Sequence, residues 1–287
     1  MDKELKDELE NVLGSRVIDC KPVSGGSISR TNKIVLQNTQ PFFVKSDVPK
    51  PMLDAEAIGL AEIRRCGCIK VPEVIALGDS YLVMEWIEPG RRDRDFFRAF
   101  GRQLALMHKF VSDGFGFKSD NFIGSTAQLN MVQDNVLISD WASFYLNYRL
   151  LPQFNMAKDN GYIDSYMEKL FGRIVHILPD ILHGCEEGPS LLHGDLWGGN
   201  FMVGACGEPV LIDPAVYYGH READLAMTKL FGGFDPEFYL AYERQWPLGP
   251  GANKREPVYL LYHVLNHLNL FGTSYRWQVI ELMEFYQ

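Results

Sequence analysis

The segment from His193 to Asn200 carries the clearest chemical pattern in this sequence. It reads HGDLWGGN, with Asp195 and Asn200 five positions apart, and a second aspartate, Asp213, ends the apolar run VLID shortly afterwards. One carboxylate can accept the proton of an attacking hydroxyl, while an amide oxygen and a second carboxylate can hold Mg²⁺ on a polyphosphate. The set therefore predicts phosphoryl transfer, with Asp195 as catalytic base and Asn200 and Asp213 as Mg²⁺ ligands. The alternative is that both aspartates only cap turns.

The same pattern, H-x-D-x-x-x-x-N followed by I-D, occurs in this order in the catalytic loop and metal aspartate of protein kinases. A site of that kind needs an upstream lysine on a strand and a helix glutamate that orients it. Lys45 ends the apolar run PFFVK, and Glu56 lies in the next periodic segment, in DAEAIGL. We therefore expect Lys45 and Glu56 to form an ion pair at the nucleotide phosphates. A solvated strand end and an exposed helix face are the alternatives.

Two further segments are candidates for contact with ATP. Glycine amides and serine hydroxyls in the loop SGGSIS could approach phosphate oxygens, although a plain Ser/Gly hairpin is the alternative. The strand YLVMEWI, followed by EPG, is the candidate hinge whose backbone holds adenine. The candidate residues are Gly25, Gly26, Ser27 and Ser29 in the loop, and Glu85, Trp86 and Ile87 in the hinge.

The elements that must position these residues fall into two groups. Up to about residue 87, β-branched and aromatic runs predict five strands, and KELKDELENVL and MLDAEAIGLAEIRRCG predict amphipathic helices. After EPG, DRDFFRAFGRQLALMHKF, SDWASFYLNYRLLPQF and IDSYMEKLFGRIVHIL predict helices, FMVGA and PVLID a hairpin, and the tail from about 221 further helices. The polar stretch 112–138 is expected to be a long ordered loop. These elements predict an α+β fold, with a small β-rich lobe (1–87) and a larger α-helical lobe (88–287).

The composition is that of a globular protein and excludes a disordered or collagen-like chain. The 287 residues are 46% hydrophobic and 23% charged. A net charge of −9 disfavours nucleic acid as a partner, and the absence of a long apolar run disfavours a membrane span. Five cysteines and the charged start MDKELKDELE favour a reducing compartment and no secretory signal. We expect a cytoplasmic protein with neither nucleic-acid nor membrane partners.

Along nearly its whole length, the chain resembles the fructosamine kinase (ketosamine-3-kinase) family. The resemblance rests on LLHGDLWGGN and DPAVYYGHREADLAMTKLFGGF, and it extends to GFGFKSDNFIGSTAQLN, DWASFYLNYRL and LLYHVLNHLNLFG. Aminoglycoside and choline kinases share H-G-D-x-x-x-x-N but lack DLW and DPAxYYGHREADLAM. The resemblance implies a protein-kinase-like two-lobed fold. It also implies ATP-dependent phosphorylation of the 3-hydroxyl of a ketosamine, a sugar joined to an amine by glycation, as a step in deglycation repair.

The resemblance also implies roles for particular residues of this sequence. Trp197 would form a wall of the sugar site, and Trp141 would either stack on the sugar or belong to the core. His193 and Asp224, the latter in READLA, would support the catalytic loop. Ser27 stands where many family members carry a cysteine, so a disulfide between two such loops is not available. A monomer or a non-covalent dimer is therefore expected.

Three alternatives stay open at this point. The first is a kinase of the same fold that acts on an aminoglycoside, choline or a simple sugar. The second is a non-catalytic ATP-binding protein, which the intact residue set disfavours. The third is a protein kinase, disfavoured because only about ten residues separate Asp213 from the helix predicted at 222, too few for a long activation loop. The preferred ketosamine, whether a fructose, ribulose or erythrulose adduct, free or protein-bound, is left open by the sequence.

Overall fold

The computed structural model describes residues 1–23, 29–37, 40–131, 138, 140–184 and 187–287. Within these residues, the first part of the chain forms a five-stranded antiparallel sheet with two helices. The elements are α1 (Lys3–Leu13), β1 (Val17–Pro22), β2 (Arg30–Leu36), β3 (Pro41–Ser46), α2 (Lys50–Cys66), β4 (Val74–Leu77) and β5 (Tyr81–Glu85). The strand order is β1-β2-β3-β5-β4. The predicted helices and strands of this region are confirmed.

The register of β3 explains why a lysine ends an otherwise apolar strand. Successive side chains of a strand point to opposite faces of the sheet. Val44 is fully buried in a small core between the sheet and α1, together with Leu9 and Ile34. The next residue, Lys45, therefore points to the opposite face, where α2 lies. It pairs across the sheet with Leu82 on β5.

The second part of the described chain is mainly helical, with short strands around the candidate catalytic loop. The helices are α3 (Phe96–His108), α4 (Trp141–Tyr145), α5 (Leu151–Asp159), α6 (Ser165–Ile181), α7 (Glu222–Lys229), α8 (Pro236–Gln245), α9 (Ala252–Phe271) and α10 (Arg276–Glu284). The strands are β6 (Asn121–Ile123), β7 (Thr126–Gln128), β8 (Ser190–Leu192), β9 (Phe201–Val203), β10 (Pro209–Leu211) and β11 (Tyr217–Gly219). The predicted hairpin is β9–β10, and β11 pairs with β8.

One sequence expectation for this part is wrong. The stretch 112–138 is not only loop, because its described part contains the β6–β7 hairpin. This hairpin is held by buried amide side chains: Asn121 donates to the carbonyl of Val216 at 2.6 Å, and Gln128 donates to that of Ala215 at 3.0 Å. Strands of three residues are too short to show the alternation of apolar and polar residues that predicts a strand from sequence. The helix predicted over 139–154 is confirmed as a helical run that begins at Trp141 and contains a π-helical turn, Leu146–Leu150.

One large hydrophobic core joins the helical part to the α2 side of the sheet. Leu53 and Ile63 of α2 belong to the same buried cluster as Phe100 of α3 and Leu211 of β10. Burial of this apolar surface is the main favourable contribution to folding. None of the helices in the described part of the chain is both long and apolar enough to cross a membrane. The sheet and the catalytic loop are thus packed against a common core.

Candidate active site

Lys45, Glu56 and Asp213 meet in a charge cluster between the sheet and the helical part. The ammonium nitrogen of Lys45 donates to Glu56 Oε2 at 2.7 Å and to Asp213 Oδ1 at 2.8 Å. The side chains of Lys45 and Glu56 are only 14% and 11% exposed, while Asp213 is 40% exposed. The predicted ion pair between Lys45 and Glu56 is confirmed. The contact between Lys45 and Asp213, which are 168 positions apart, was not predicted.

The single ammonium group in this cluster serves two carboxylates. Burial opposes the charged form of Lys45, but Glu56 and Asp213 outweigh it and raise the pKa of Lys45. Burial raises the pKa of Glu56 to about 7, and the nearby charge of Asp213 adds to that rise. Burial acts in the same direction on Asp213, yet Lys45 holds the pKa of Asp213 below its usual range. The pKa of Asp213 therefore lies below that of Glu56, and both carboxylates accept from the same ammonium group.

Asp195 and Asn200 are joined within the loop between β8 and β9. The side-chain amide of Asn200 donates to the backbone carbonyl of Asp195 at 2.7 Å and to its carboxylate at 2.9 Å. Burial of the carboxyl group raises the pKa of Asp195 to about 7, although the hydrogen bond from Asn200 opposes this rise. A general base works best when its pKa lies near the operating pH. The loop therefore presents a carboxylate suited to accept a proton from a hydroxyl group.

Asp224 on α7 fixes the backbone of this loop from inside the core. Its carboxylate accepts hydrogen bonds from the backbone N–H groups of His193 at 2.7 Å and Gly194 at 2.8 Å. The imidazole of His108, on α3, lies 3.2 Å from the same carboxylate, and the Tyr242 hydroxyl lies 2.7 Å from its other ring nitrogen. Asp224 thus lies where the sequence places a support of the loop. His108 was missed, because no motif surrounds it.

His193 connects the loop to the strand end that precedes Asp213. The backbone N–H of Asp195 donates to Nδ1 of His193 at 3.2 Å, so Nε2 carries the proton and donates to the carbonyl of Ile212 at 2.9 Å.

Gly194 has φ +83°, and a Cβ there would lie 2.0 Å from the carbonyl oxygen of Ala215. This position therefore requires glycine.

Asn200 and Asp213 supply oxygen atoms of the kind that Mg²⁺ prefers. The backbone N–H of Ile212 donates to the carbonyl of Asn200 at 3.1 Å, which fixes the two segments together. Asn200 uses its amide nitrogen on Asp195, so its amide oxygen is the atom suited to a metal. In the described part of the chain, no group of three or more His, Cys, Asp or Glu residues could hold a metal ion. Mg²⁺ commonly takes only one or two protein oxygens and completes its shell with phosphates and water, so this sparse set fits it.

The two tryptophans predicted to contact substrate lie in different surroundings. Trp197 is half-buried on the catalytic loop, with its ring centroid 5.7 Å from that of Phe231. Phe231 is 48% exposed, has φ +59°, and lies 5.0 Å from the ring of His267. Trp141 is 6% exposed and donates its indole N–H to the Tyr259 hydroxyl at 3.0 Å. The burial of Trp141 favours the core interpretation, and its stacking on a sugar stays a prediction.

The candidate nucleotide contacts are only partly described by the structure. Gly25, Gly26 and Ser27 lie outside the described residues, and Ser29 directly precedes β2. Glu85 ends β5, and Ile87 is buried. Trp86 donates its indole N–H to Glu88 at 2.8 Å, and the Lys33 ammonium lies 4.1 Å from its ring centroid. Adenine contact at this hinge stays a prediction.

The fold of the described residues is protein-kinase-like. The structure of the aminoglycoside phosphotransferase APH(4)-Ia in a ternary complex with ADP and hygromycin B matches with a TM-score of 0.65 at 13% identity. The match covers 99% of this chain and 97% of that one. At this level of identity, the similarity establishes the shared fold.

The chain belongs to the fructosamine kinase family, whose model, "Fructosamine kinase", matches residues 1–286. It is 37% identical over 284 residues to the "Probable ketoamine kinase" of Enterococcus faecium, covering 96% of this chain and 99% of that protein. It is 37% identical over 283 residues to the "Protein-ribulosamine 3-kinase, chloroplastic" of Oryza sativa subsp. japonica, covering 95% and 80%. A crystal structure from Thermobifida fusca that carries a fructosamine-3-kinase name has 31% identity and a TM-score of 0.89, covering 100% and 99%. The family resemblance of the sequence is confirmed.

Proposed function

We propose that this protein transfers the γ-phosphoryl group of ATP to the 3-hydroxyl of a ketosamine. Family membership and relatives named for ketoamine and ribulosamine kinases support the acceptor class. The observation that carries the proposal is the placement of Asp195. Its carboxylate is held by Asn200, its pKa is about 7, and the Lys45–Asp213 pair is tied to the same loop through Ile212.

The proposed step is a direct transfer between two oxygen atoms. Asp195 accepts the proton of the acceptor hydroxyl as that oxygen bonds to the γ-phosphorus, and the bond from the γ-phosphorus to the β-phosphate oxygen breaks. Lys45, held by Glu56, contacts the α- and β-phosphates. Asn200 and Asp213 would hold Mg²⁺, which when bound would neutralise charge that develops on the phosphate oxygens. Positioning and charge stabilisation, rather than a covalent enzyme intermediate, would supply most of the catalysis.

The remaining contacts are assigned by their position around this centre. Trp197, with Phe231 beside it, would form a wall of the sugar site. Gly25, Gly26, Ser27 and Ser29 would cover the phosphates, and the backbone from Glu85 to Ile87 would hold adenine. We further propose that residues 1–87 and 88–287 act as two lobes around ATP, and that the protein works in the cytoplasm as a monomer or a non-covalent dimer.

The other candidate functions have less support. A protein kinase would need a long activation loop after Asp213, whereas β11 begins at Tyr217 and pairs with β8. A non-catalytic ATP-binding protein would not need the complete set of Lys45, Asp195, Asn200 and Asp213. Aminoglycoside kinases share the fold, but the DLW and YYGHREADLAM segments, which carry the resemblance to the fructosamine kinase family, argue against such an acceptor.

The proposal is tested by ADP release from ATP and Mg²⁺ over a panel of acceptors. The panel contains a fructosyl-lysine analogue, a ribulosyl-lysine analogue, free fructose, choline and an aminoglycoside. We expect turnover only with the two ketosamines, and their ratio gives the sugar preference. Turnover with another acceptor alone would contradict the proposed substrate, and ATP binding without turnover on any acceptor would contradict a catalytic function.

A further inference from the structure

A buried contact outside the site described above joins α2 to the chain beyond Asp213. Tyr218, in β11, donates its hydroxyl to Glu62 Oε1 at 2.6 Å, and Arg65 donates to the same oxygen. Glu62 and Tyr218 are only 7% and 6% exposed. A hydrogen bond to a charged group is among the stronger ones in a protein, and burial increases the cost of losing it. This contact therefore fixes the second half of α2.

The middle of α2 lies directly against the same segment of chain. A Cβ at Gly59 would lie 3.2 Å from Val216 Cγ2 and 3.3 Å from Pro214 Cγ, so the helix backbone packs closely on these side chains. Gly59 is three positions after Glu56 and three before Glu62, and positions three apart lie on one face of a helix. One face of α2 thus contacts residues 213–218 at three successive points. Glu56 reaches Asp213 through Lys45, Gly59 packs on Pro214 and Val216, and Glu62 accepts from Tyr218.

The far end of this attachment is itself fixed. Tyr218 exchanges two backbone hydrogen bonds with Gly116, at 2.9 and 2.8 Å, and it pairs with Leu191 of β8. The backbone of Tyr218 is therefore held by partners that do not belong to α2. A hydroxyl on a fixed strand is a suitable anchor for the helix that carries Glu56.

We propose that Tyr218 and Glu62 are positioning residues, which hold α2 where Glu56 keeps Lys45 at the nucleotide phosphates. This proposal rests on the proposed phosphotransfer function for its kinetic consequences. In protein kinases, the orientation of the corresponding helix is controlled through the activation loop. In this chain a tyrosine hydroxyl and a glutamate, built into the fold, hold the helix docked without any modification.

The Tyr218→Phe variant tests the kinetic consequence, because it removes the hydroxyl and keeps the ring. Glu62 is then left with Arg65, whose side chain is 62% exposed, and α2 loses its anchor. We expect kcat to fall about tenfold at saturating acceptor, as for the loss of one hydrogen bond to a charged group. Tyr286→Phe is the matched control: its hydroxyl donates to the Lys254 carbonyl at 2.7 Å, and we expect kcat to stay unchanged. An unchanged kcat in Tyr218→Phe would overturn the proposal.

A double-mutant cycle separates positioning from a general loss of structure. In a Glu56→Gln background, where Lys45 has already lost its charged helix partner, Tyr218→Phe should reduce kcat by less than about twofold, because residues that act through one another are not additive. A full tenfold loss in both backgrounds would show that Tyr218 acts independently of Glu56 and would overturn the proposal. Glu62→Gln, whose amide oxygen still accepts from Tyr218, should keep kcat within about threefold of the parent value, whereas Glu62→Leu should match Tyr218→Phe.

Hydrogen exchange tests the docking of α2 without any acceptor or turnover. We expect amides over residues 58–66 to exchange about tenfold faster in Tyr218→Phe than in the parent protein, while α9 keeps its protection. Unchanged protection of α2 would overturn the proposal even in an active enzyme. An inactive parent protein whose α2 still loses protection in Tyr218→Phe would instead contradict the proposed function and support the docking role.

Discussion

The two halves of the site are held in place by different means. The loop that carries Asp195 is fixed through the backbone N–H groups of His193 and Gly194, which both donate to the buried carboxylate of Asp224. The half that carries Lys45 is held by side-chain ion pairs. They join Lys45 of β3 to Glu56 of α2, 11 positions away, and to Asp213, two residues beyond β10 and 168 positions away. The Asp195 half is thus a loop whose backbone is bonded to the buried core. The geometry of the Lys45 half depends instead on how α2 packs against the rest of the protein.

This difference determines what a mutation in each half should do. Backbone groups that lose a buried partner leave unsatisfied donors in the core, which costs stability as well as activity. Loss of Glu56 from the Lys45 ion pairs costs less stability, because the Lys45 ammonium keeps Asp213 as a partner. The loop half should therefore fail by unfolding locally, and the Lys45 half by losing catalytic geometry.

The largest expected effect comes from Asp195→Asn. The amide cannot accept a proton from the acceptor hydroxyl, and general-base contributions are about 10²–10⁴-fold, so we expect kcat to fall by that factor. ATP affinity should be retained, because Asp195 is assigned no phosphate contact. Steady-state kinetics and calorimetric ATP titration measure the two quantities, and thermal unfolding controls for the fold. A variant that turns over at the parent rate would contradict the role of Asp195 as base.

Asp213→Ala should nearly abolish the dependence of nucleotide binding on Mg²⁺. The variant removes the exposed carboxylate of the Lys45 cluster, and Mg²⁺ bridges protein carboxylates to nucleotide phosphates. The measurement is the Kd for ATP with Mg²⁺ and with EDTA, compared between variant and parent. A normal gain of ATP affinity on adding Mg²⁺ to the variant would contradict the metal role.

A stability comparison between Asp224→Ala and Glu56→Gln tests the contrast between the halves directly. Asp224→Ala leaves two backbone N–H groups and His108 without their buried acceptor, so we expect the free energy of unfolding to fall by about 3–5 kcal/mol. Glu56→Gln leaves Lys45 paired with Asp213, so we expect a loss of about 1 kcal/mol. Urea denaturation measures both. An equal loss of unfolding free energy in the two variants would contradict the proposed difference between the halves.

Acid pH should destabilise the helical core that supports both halves. The expected loss of unfolding free energy is smaller than that expected for Asp224→Ala. Burial lowers the pKa of His263, which is 3% exposed on α9, to about 3. The unfolded chain binds a proton near pH 6.5 and the folded chain does not, so stability falls as the pH drops below about 6.5. His263 alone should cost about 2 kcal/mol at pH 5. Urea denaturation at pH 7 and pH 5 measures the loss of unfolding free energy for the parent protein and for His263→Gln. We expect a smaller loss in the variant. An identical loss in both proteins would contradict the role of His263.

The sequence predicted contacts between residues whose types belong to a known motif, and it missed those set only by packing. Lys45 and Glu56 could be paired because a charge ends an apolar strand and a glutamate follows on the next helix. His108 and Glu62 have no such context, and Tyr218 lies in a segment that carries the family resemblance but was assigned no role. Their partners lie 116 to 156 positions away, and each contact exists only because the helices and strands pack together. The β6–β7 hairpin was missed for a similar reason, since buried amides rather than periodicity hold its short strands.

The most direct test of the central claim is the position of the phosphoryl group in the product. A fructosyl-lysine analogue is incubated with the protein, ATP and Mg²⁺, and the product is analysed by two-dimensional ³¹P–¹H NMR. The account predicts a phosphorus resonance coupled to the proton on carbon 3 of the sugar, and none when Asp195→Asn replaces the parent protein. A phosphoryl group on another hydroxyl, or ADP formed with free phosphate and unmodified sugar, would contradict it.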